Sequence, residues 1–213
     1  MSNRRQAGFT LVEVIVMMAV LSIGILGTLA VANLAVQSSD RNQRQVIGVN
    51  LAREGVELVR AVRDSNWAAM AEETGPDCWD YYPDSQLKAG QPPPGACTPR
   101  FQSLSAATNF VAYLNTGNGS PYLVQQASTV TENAVYRLCP NAQGTYLPSA
   151  QACSSGGRTY YRRVTIQRAK DLGVDDDDNT RKYSILVRSQ VTWPGQNAAD
   201  LVIEEYLTDW RKF

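Results

Sequence analysis

The 213-residue sequence contains no histidine. That absence excludes Ser–His–Asp and Cys–His catalysis, HExxH zinc sites and every His-ligated metal centre. Net charge is missing too, since 20 basic side chains balance 20 acidic ones. The chain as a whole therefore has no electrostatic reason to bind nucleic acid or an acidic polymer. There is no P-loop, no GxGxxG run and no nucleophile elbow. Ser/Lys and paired-carboxylate chemistry survive on composition alone, but no spacing points to either. Cysteine is scarce, four in all, and none forms a CxxC pair, which argues against a four-thiolate metal site. No enzymatic activity and no cofactor are expected.

What is present is unevenly spread. Apolar residues make up 44% of the chain, enough for a packed core, and the length suits one domain plus an extra element. From Val14 to Ala32 nineteen consecutive positions carry no charge. As a helix they would span roughly 28 Å, close to the hydrocarbon thickness of a bilayer. A soluble core helix is rarely apolar on every face for that distance. The polar leader MSNRRQAG precedes the run. Arg4 and Arg5 lie before the span and Arg41 and Arg44 after it, so local charge counts do not set its orientation. The leader favours a cytoplasmic N-terminus.

Glu13 breaks the pattern at the entrance to the span. A carboxylate near hydrocarbon is unfavourable, by about 2.5–3.5 kcal/mol at a helix centre and less near the interface. Three arrangements relieve it. The carboxylate can meet the helix macrodipole and snorkel to the interface. It can pair with an α-amino group at Phe9, were the chain cut after Gly8. It can also pair with that group on a neighbouring copy, which would make it an assembly determinant.

The stretch GFTLVEVIV, Gly8–Val16, resembles the signature of type IV prepilins and type II secretion pseudopilins. The resemblance implies cleavage after Gly8 by a prepilin peptidase, N-methylation of Phe9, and a role for Glu13 in neutralising an adjacent subunit's amine. It also implies other pilin subunits, the peptidase/N-methyltransferase, an inner-membrane assembly platform and membrane lipid as partners. The chain would begin as a single-pass inner-membrane protein with its head outside, and end in an extracellular or periplasmic filament.

Beyond the span, residues 37–45 are polar and free of Gly and Pro. Ile47, Leu51, Gly55, Leu58 and Val62 then recur as an amphipathic stripe, with Arg53–Glu57 and Arg60–Asp64 spaced as i,i+4 pairs. A helix unbroken from Phe9 to about Asn66 would be roughly 85 Å long. Gly24 and Gly27 would allow close helix approach within the span.

Residues 74–100 are rich in Pro and Gly and read as loop. They contain Cys78 and Cys97, while Cys139 and Cys153 flank a second loop. Of three possible pairings, the sequence-local one, Cys78–Cys97 with Cys139–Cys153, is favoured. Residues 158–168, 183–193 and 201–210 are β-rich and separated by turn-forming segments, predicting a three-stranded antiparallel meander. Residues 134–139 offer a fourth strand, and residues 101–133 carry little pattern. Asp175, Asp176, Asp177 and Asp178 are a calcium option without EF-hand spacing. Asn118-Gly119-Ser120 fits a glycosylation sequon. Trp193, Trp210, Tyr160 and Tyr161 are expected in core or rim packing.

The expected fold is α+β: a long N-terminal helix, membrane-spanning in its first half, packed on a small antiparallel sheet with disulfide-pinned loops. Its expected segments are a leader at 1–8, a membrane or filament-core half-helix at 9–36, an amphipathic half-helix at 37–66 and a head at 67–213. The expected function is that of a minor pilin. A pseudopilin of secretion or DNA uptake, and a membrane-anchored adhesin or ligand-binding head, are the alternatives.

Overall fold

The computed structural model describes residues 10–70, 78–82, 97, 99–101, 104, 106–114, 121–127, 134–149, 151–153, 158–168, 184–195 and 200–208. The chain divides into two compact units, Met1–Val46 and Ile47–Phe213. One helix, α1, runs from Leu11 to Met70, four residues beyond the expected end. The Gly- and Pro-free stretch 37–45 gives the backbone no reason to break.

In the second unit, seven strands among the described residues form one antiparallel sheet: β1 (Thr108–Leu114), β2 (Pro121–Gln126), β3 (Arg137–Pro140), β4 (Tyr146–Pro148), β5 (Tyr160–Arg168), β6 (Ser184–Thr192) and β7 (Leu201–Thr208). The expected meander is present as β5–β6–β7. The sheet is larger than three or four strands because residues 101–133, which show little periodicity, supply β1 and β2. β1 buries three successive residues, Phe110, Val111 and Ala112, and so does not alternate as a half-exposed strand would. β2 begins with Pro121 at the outer end of the strand order, where a missing ladder donor is tolerated. The first half of the expected fourth strand is a 3-10 turn, Ala134–Tyr136.

β5 organises the sheet. One edge pairs with β6 from Tyr161↔Thr192 to Arg168↔Ile185. The other edge is shared. Its C-terminal half pairs with β1, ending at Phe110↔Val164, and its N-terminal end pairs with β3 at Tyr160 and Tyr161. Its burial alternates strictly, with Tyr160, Arg162, Val164 and Ile166 inward.

The inward face meets α1 in two apolar clusters. The larger one joins Val56, Leu58, Val59 and Val62 to Phe110, Leu123, Val164, Ile166, Ile185, Val187 and Leu207. The smaller joins Leu51 and Ala52 to Leu138, Tyr160 and Val191. Each fully buried Val, Leu, Ile or Phe contributes about 1.5–3 kcal/mol against leaving it in water. The expected stripe is therefore correct but narrow, because Ala52, Val56 and Val59 are buried as well. A helix lying across a sheet covers a wider arc than a two-residue-per-heptad seam.

The expected i,i+4 ion pairs do not form as read. Glu57 pairs instead with Arg60, whose guanidinium also binds Glu205 on β7. Asp64 pairs with Arg63 at 2.9 Å, and Arg63 lies over the Trp67 ring, 4.3 Å from its centroid. Contacts with the sheet and with an aromatic ring outweigh helix-surface pairs worth a few tenths of a kcal/mol.

The cysteines pair as Cys78–Cys97 and Cys139–Cys153. The first bond ties residues 78–82 to residues 97 and 99–101, which also bridge at Tyr81↔Arg100. The Asn66 side-chain amide, 1% exposed, donates to the carbonyls of Trp79 and Tyr81 at 3.1 and 2.6 Å. It thereby anchors this crossing to the last turns of α1. Tyr82, Phe101 and Phe110 close the core there, Tyr82 stacked on Phe101 and edge-on to Phe110.

Two stability predictions follow from this packing. Phe110→Ala removes a fully buried ring and should cost about 3–5 kcal/mol, seen as a lower urea midpoint with an unchanged slope. Gly55→Ala should destabilise by about 1–3 kcal/mol, although alanine is the better helix former. A Cβ there would lie 2.4 Å from Ser189 Oγ. Adding Ser189→Ala should recover part of the loss in the same titration.

Candidate functional site

The first unit presents an unusual surface. The helix starts with Thr10 in the capping position: its hydroxyl accepts the Glu13 N–H at 3.3 Å, and its carbonyl accepts the Val14 N–H at 3.3 Å. This satisfies one of the donors a helix start leaves open. Thr10-x-x-Glu13 is the capping-box spacing, so the same four residues that set the helix start also place the carboxylate in its first turn. Glu13 is exposed. Gly8 and Phe9 lie outside the described residues.

Every large apolar side chain from Leu11 to Val36 is exposed, Leu11 to 78% and Ile23 to 71%. The segment is long and apolar enough to cross a membrane, and none of it is buried by the rest of the chain. Its hydroxyls need nothing from water. Ser22 donates to the Met18 carbonyl at 2.7 Å and Thr28 to the Ile25 carbonyl at 2.9 Å, satisfying polar groups within the helix as a hydrocarbon environment requires. Gly24 and Gly27 have nothing within 4 Å and leave room for another backbone to approach. Past the span Asp40 and Arg44 pair at 2.8 Å, the first ion pair on the polar turns. The chemistry on offer is association: a rod that must be covered on all sides, with one acid at its start.

The second unit holds a buried cation that the sequence reading missed. Arg162, 2% exposed, donates to the Leu51 carbonyl on α1 at 3.2 Å and to the Ala112 carbonyl on β1 at 3.1 Å. It pairs with Glu54 at 3.3 Å. Ala112 is the residue that would face Arg162 had the β1–β5 pairing continued past Phe110↔Val164, so the guanidinium fills the gap where the two strands part. Burial pulls its pKa below the usual arginine value, and Glu54 opposes that shift. Elsewhere Asp80, fully buried, pairs with Arg100 at 2.6 Å. The bond to Glu205 raises the pKa of Arg60, with Glu57 adding to it against desolvation.

The aromatic residues pack rather than form a platform. Tyr160 is buried, edge-on to Tyr146 at 5.2 Å and tilted against Trp193 at 5.7 Å. Tyr161 lies under Arg137 at 6.0 Å. Trp210, the sequon at 118–120 and the aspartates Asp175–Asp178 lie outside the described residues. Among the described residues, no group of three or more His, Cys, Asp or Glu could hold a metal ion.

Comparison with curated proteins and with solved structures gives no match. The family model described as the prokaryotic N-terminal methylation motif matches residues 3–29, which takes in Glu13 and much of the exposed apolar helix. With that match and a long apolar helix in place, the chain carries the signature of type IV pilins and pseudopilins, a structural family.

Proposed function

We propose that this protein is a minor pilin, a structural subunit of a type IV pilus-like filament. The observation that carries the proposal is the union of the methylation motif at 3–29 with an apolar helix that the chain itself leaves uncovered from Leu11 to Val36. In the membrane, lipid covers that surface and the head lies outside. A prepilin peptidase cuts after Gly8 and the new terminus, Phe9, is N-methylated. The helix then leaves the bilayer for a bundle of identical or similar helices, exchanging lipid contacts for helix contacts of comparable apolarity. That exchange gains little from the hydrophobic effect, because lipid tails are as apolar as leucine.

Polar groups therefore supply direction. An unpaired carboxylate and an unpaired amine are both costly away from water. Pairing the Glu13 carboxylate with a neighbour's Phe9 amine removes both costs at one axial position. The minor role is supported by the large head, with its seven-stranded sheet and two disulfides.

Glu13→Ala should leave the head folded and abolish incorporation. The check compares sheared filaments and membrane fractions from cells expressing each form. Mutant protein accumulating in the membrane, with at least about a tenfold loss from filaments, is the expected result. Incorporation at the wild-type level would overturn the proposed role of Glu13. Incorporation into a short filament that copurifies with a secretin-linked secretion apparatus, and not into a retractable pilus, would replace the minor-pilin assignment with a pseudopilin one.

A further inference from the structure

The two disulfides sit in unlike surroundings. Cys78 and Cys97 are 4% and 6% exposed and pack with the fully buried Tyr81, at the crossing that Asn66 holds to α1. A reagent reaches that bond only when this end of the core opens. Cys139 and Cys153 are both partly exposed. β3 pairs with β5 only through Arg137↔Tyr161 and Leu138↔Tyr160, so Cys139 is the first residue of β3 beyond that ladder.

The hairpin around Cys139 keeps its shape by other means than its disulfide. β3 and β4 pair from Leu138↔Pro148 to Pro140↔Tyr146. At the tip, the Asn141 side-chain oxygen accepts the N–H groups of Gln143 and Thr145 at 3.0 and 2.9 Å. At the base, the Ser149 N–H donates to the Arg137 carbonyl at 2.9 Å and the Gln151 N–H to Ser149 Oγ at 3.3 Å. Leu138 is buried in the core, and Tyr146 stands edge-on to Tyr160. This frame reaches Gln151, next but one to Cys153. Opening the bond therefore frees two sulfurs whose α-carbons, 5.2 Å apart when closed, stay near each other.

The two sulfurs are not equivalent. Each faces a backbone carbonyl, Cys139 Sγ that of Gln151 at 3.9 Å and Cys153 Sγ that of Leu138 at 3.6 Å. Cys153 Sγ has a donor as well. Thr159, opposite Cys139 in the continued β3–β5 register, donates its hydroxyl to Cys153 Sγ at 3.3 Å. A donor on sulfur favours negative charge there, so Cys153 is the better leaving group.

We propose that Cys139–Cys153 is a thiol-exchange site, modified by small-molecule thiols while the head stays folded, and that Cys78–Cys97 stays closed. A reagent thiolate attacks Cys139 Sγ. A new S–S bond joins reagent to Cys139, the old bond breaks, and Cys153 leaves as a thiolate with the electron pair, beside the Thr159 hydroxyl. From this mixed disulfide Cys153 attacks Cys139 Sγ in turn, expels the reagent thiolate and restores the original bond. With excess reagent, a second thiolate attacks the reagent sulfur instead. That releases an external disulfide and leaves both cysteines reduced, two electrons having passed to the pair. The proposal rests on the head alone and stands whether or not the chain enters a filament.

The test uses the full chain in detergent micelles without denaturant and reduced glutathione as the reagent. Timed samples are quenched with excess N-ethylmaleimide and mapped by peptide mass. Early samples should carry glutathione on Cys139 and maleimide on Cys153, at a rate at least about tenfold above any labelling of Cys78 or Cys97. Near-ultraviolet circular dichroism should keep its folded signal throughout. Removing free glutathione before the quench should return the mixed disulfide to the closed bond. Thr159→Val should slow opening by about threefold, and Thr159→Ser should restore it; the wild-type adduct map decides the matter should Thr159→Val not fold. Labelling of Cys78 and Cys97 at the same rate, labelling only with loss of the folded signal, or no labelling at all would overturn the proposal. Glutathione on Cys153 in place of Cys139 would overturn the assigned direction of attack.

Discussion

The apolar surface of the first half of α1 has to be covered by something other than water. From Leu11 to Val36 no large apolar side chain is buried by the chain itself. At about 25 cal/mol per Å² of apolar area, such a surface drives the molecule into lipid or into contact with other helices. The N-terminal features follow from this constraint. Thr10 sets the helix start, Ser22 and Thr28 bond to their own backbone, and Gly24 and Gly27 leave room for close approach. A single acid marks the end of the rod.

The head solves a different problem. A helix on a sheet is held mainly by apolar contacts, and a break in the sheet beneath it leaves polar backbone that those contacts cannot satisfy. Here the strands part over α1, because β5 gives half of one edge to β1 and the rest to β3. A strand split leaves a backbone carbonyl without its ladder donor, and Arg162 supplies that donor while also meeting α1. One side chain thus repairs a fault in the sheet and ties the sheet to the helix. The Cys78–Cys97 crossing, with Asn66 and the Asp80–Arg100 pair, closes the other end of the same interface.

The N-terminal half was legible in the sequence because its signals are one-dimensional. A charge-free run and a motif of nine residues need no partner to be read. The meander was legible for the same reason, since β5 alternates and β5, β6 and β7 lie between clear turn segments. The rest depended on tertiary context. β1 is buried on three successive positions and β2 opens on a proline, so neither shows a clean period of two. Arg60 has acids within reach on its own helix, yet Glu205 from β7 claims it as well. Arg162 left a usable signal: it shares the parity of Tyr160, Val164 and Ile166. A charged residue on the core parity of a strand implies a buried partner, and no pattern in the strand alone names Glu54.

The account's central claim is that the uncovered helix enters a filament after its leader is removed. The most direct test is the intact mass of the chain recovered from sheared filaments, with sequencing of its first residue. The account predicts a chain that begins at Phe9, shortened by its first eight residues and heavier by one methyl group. A chain that keeps residues 1–8, or one found only in membranes while filaments form normally without it, would contradict the claim.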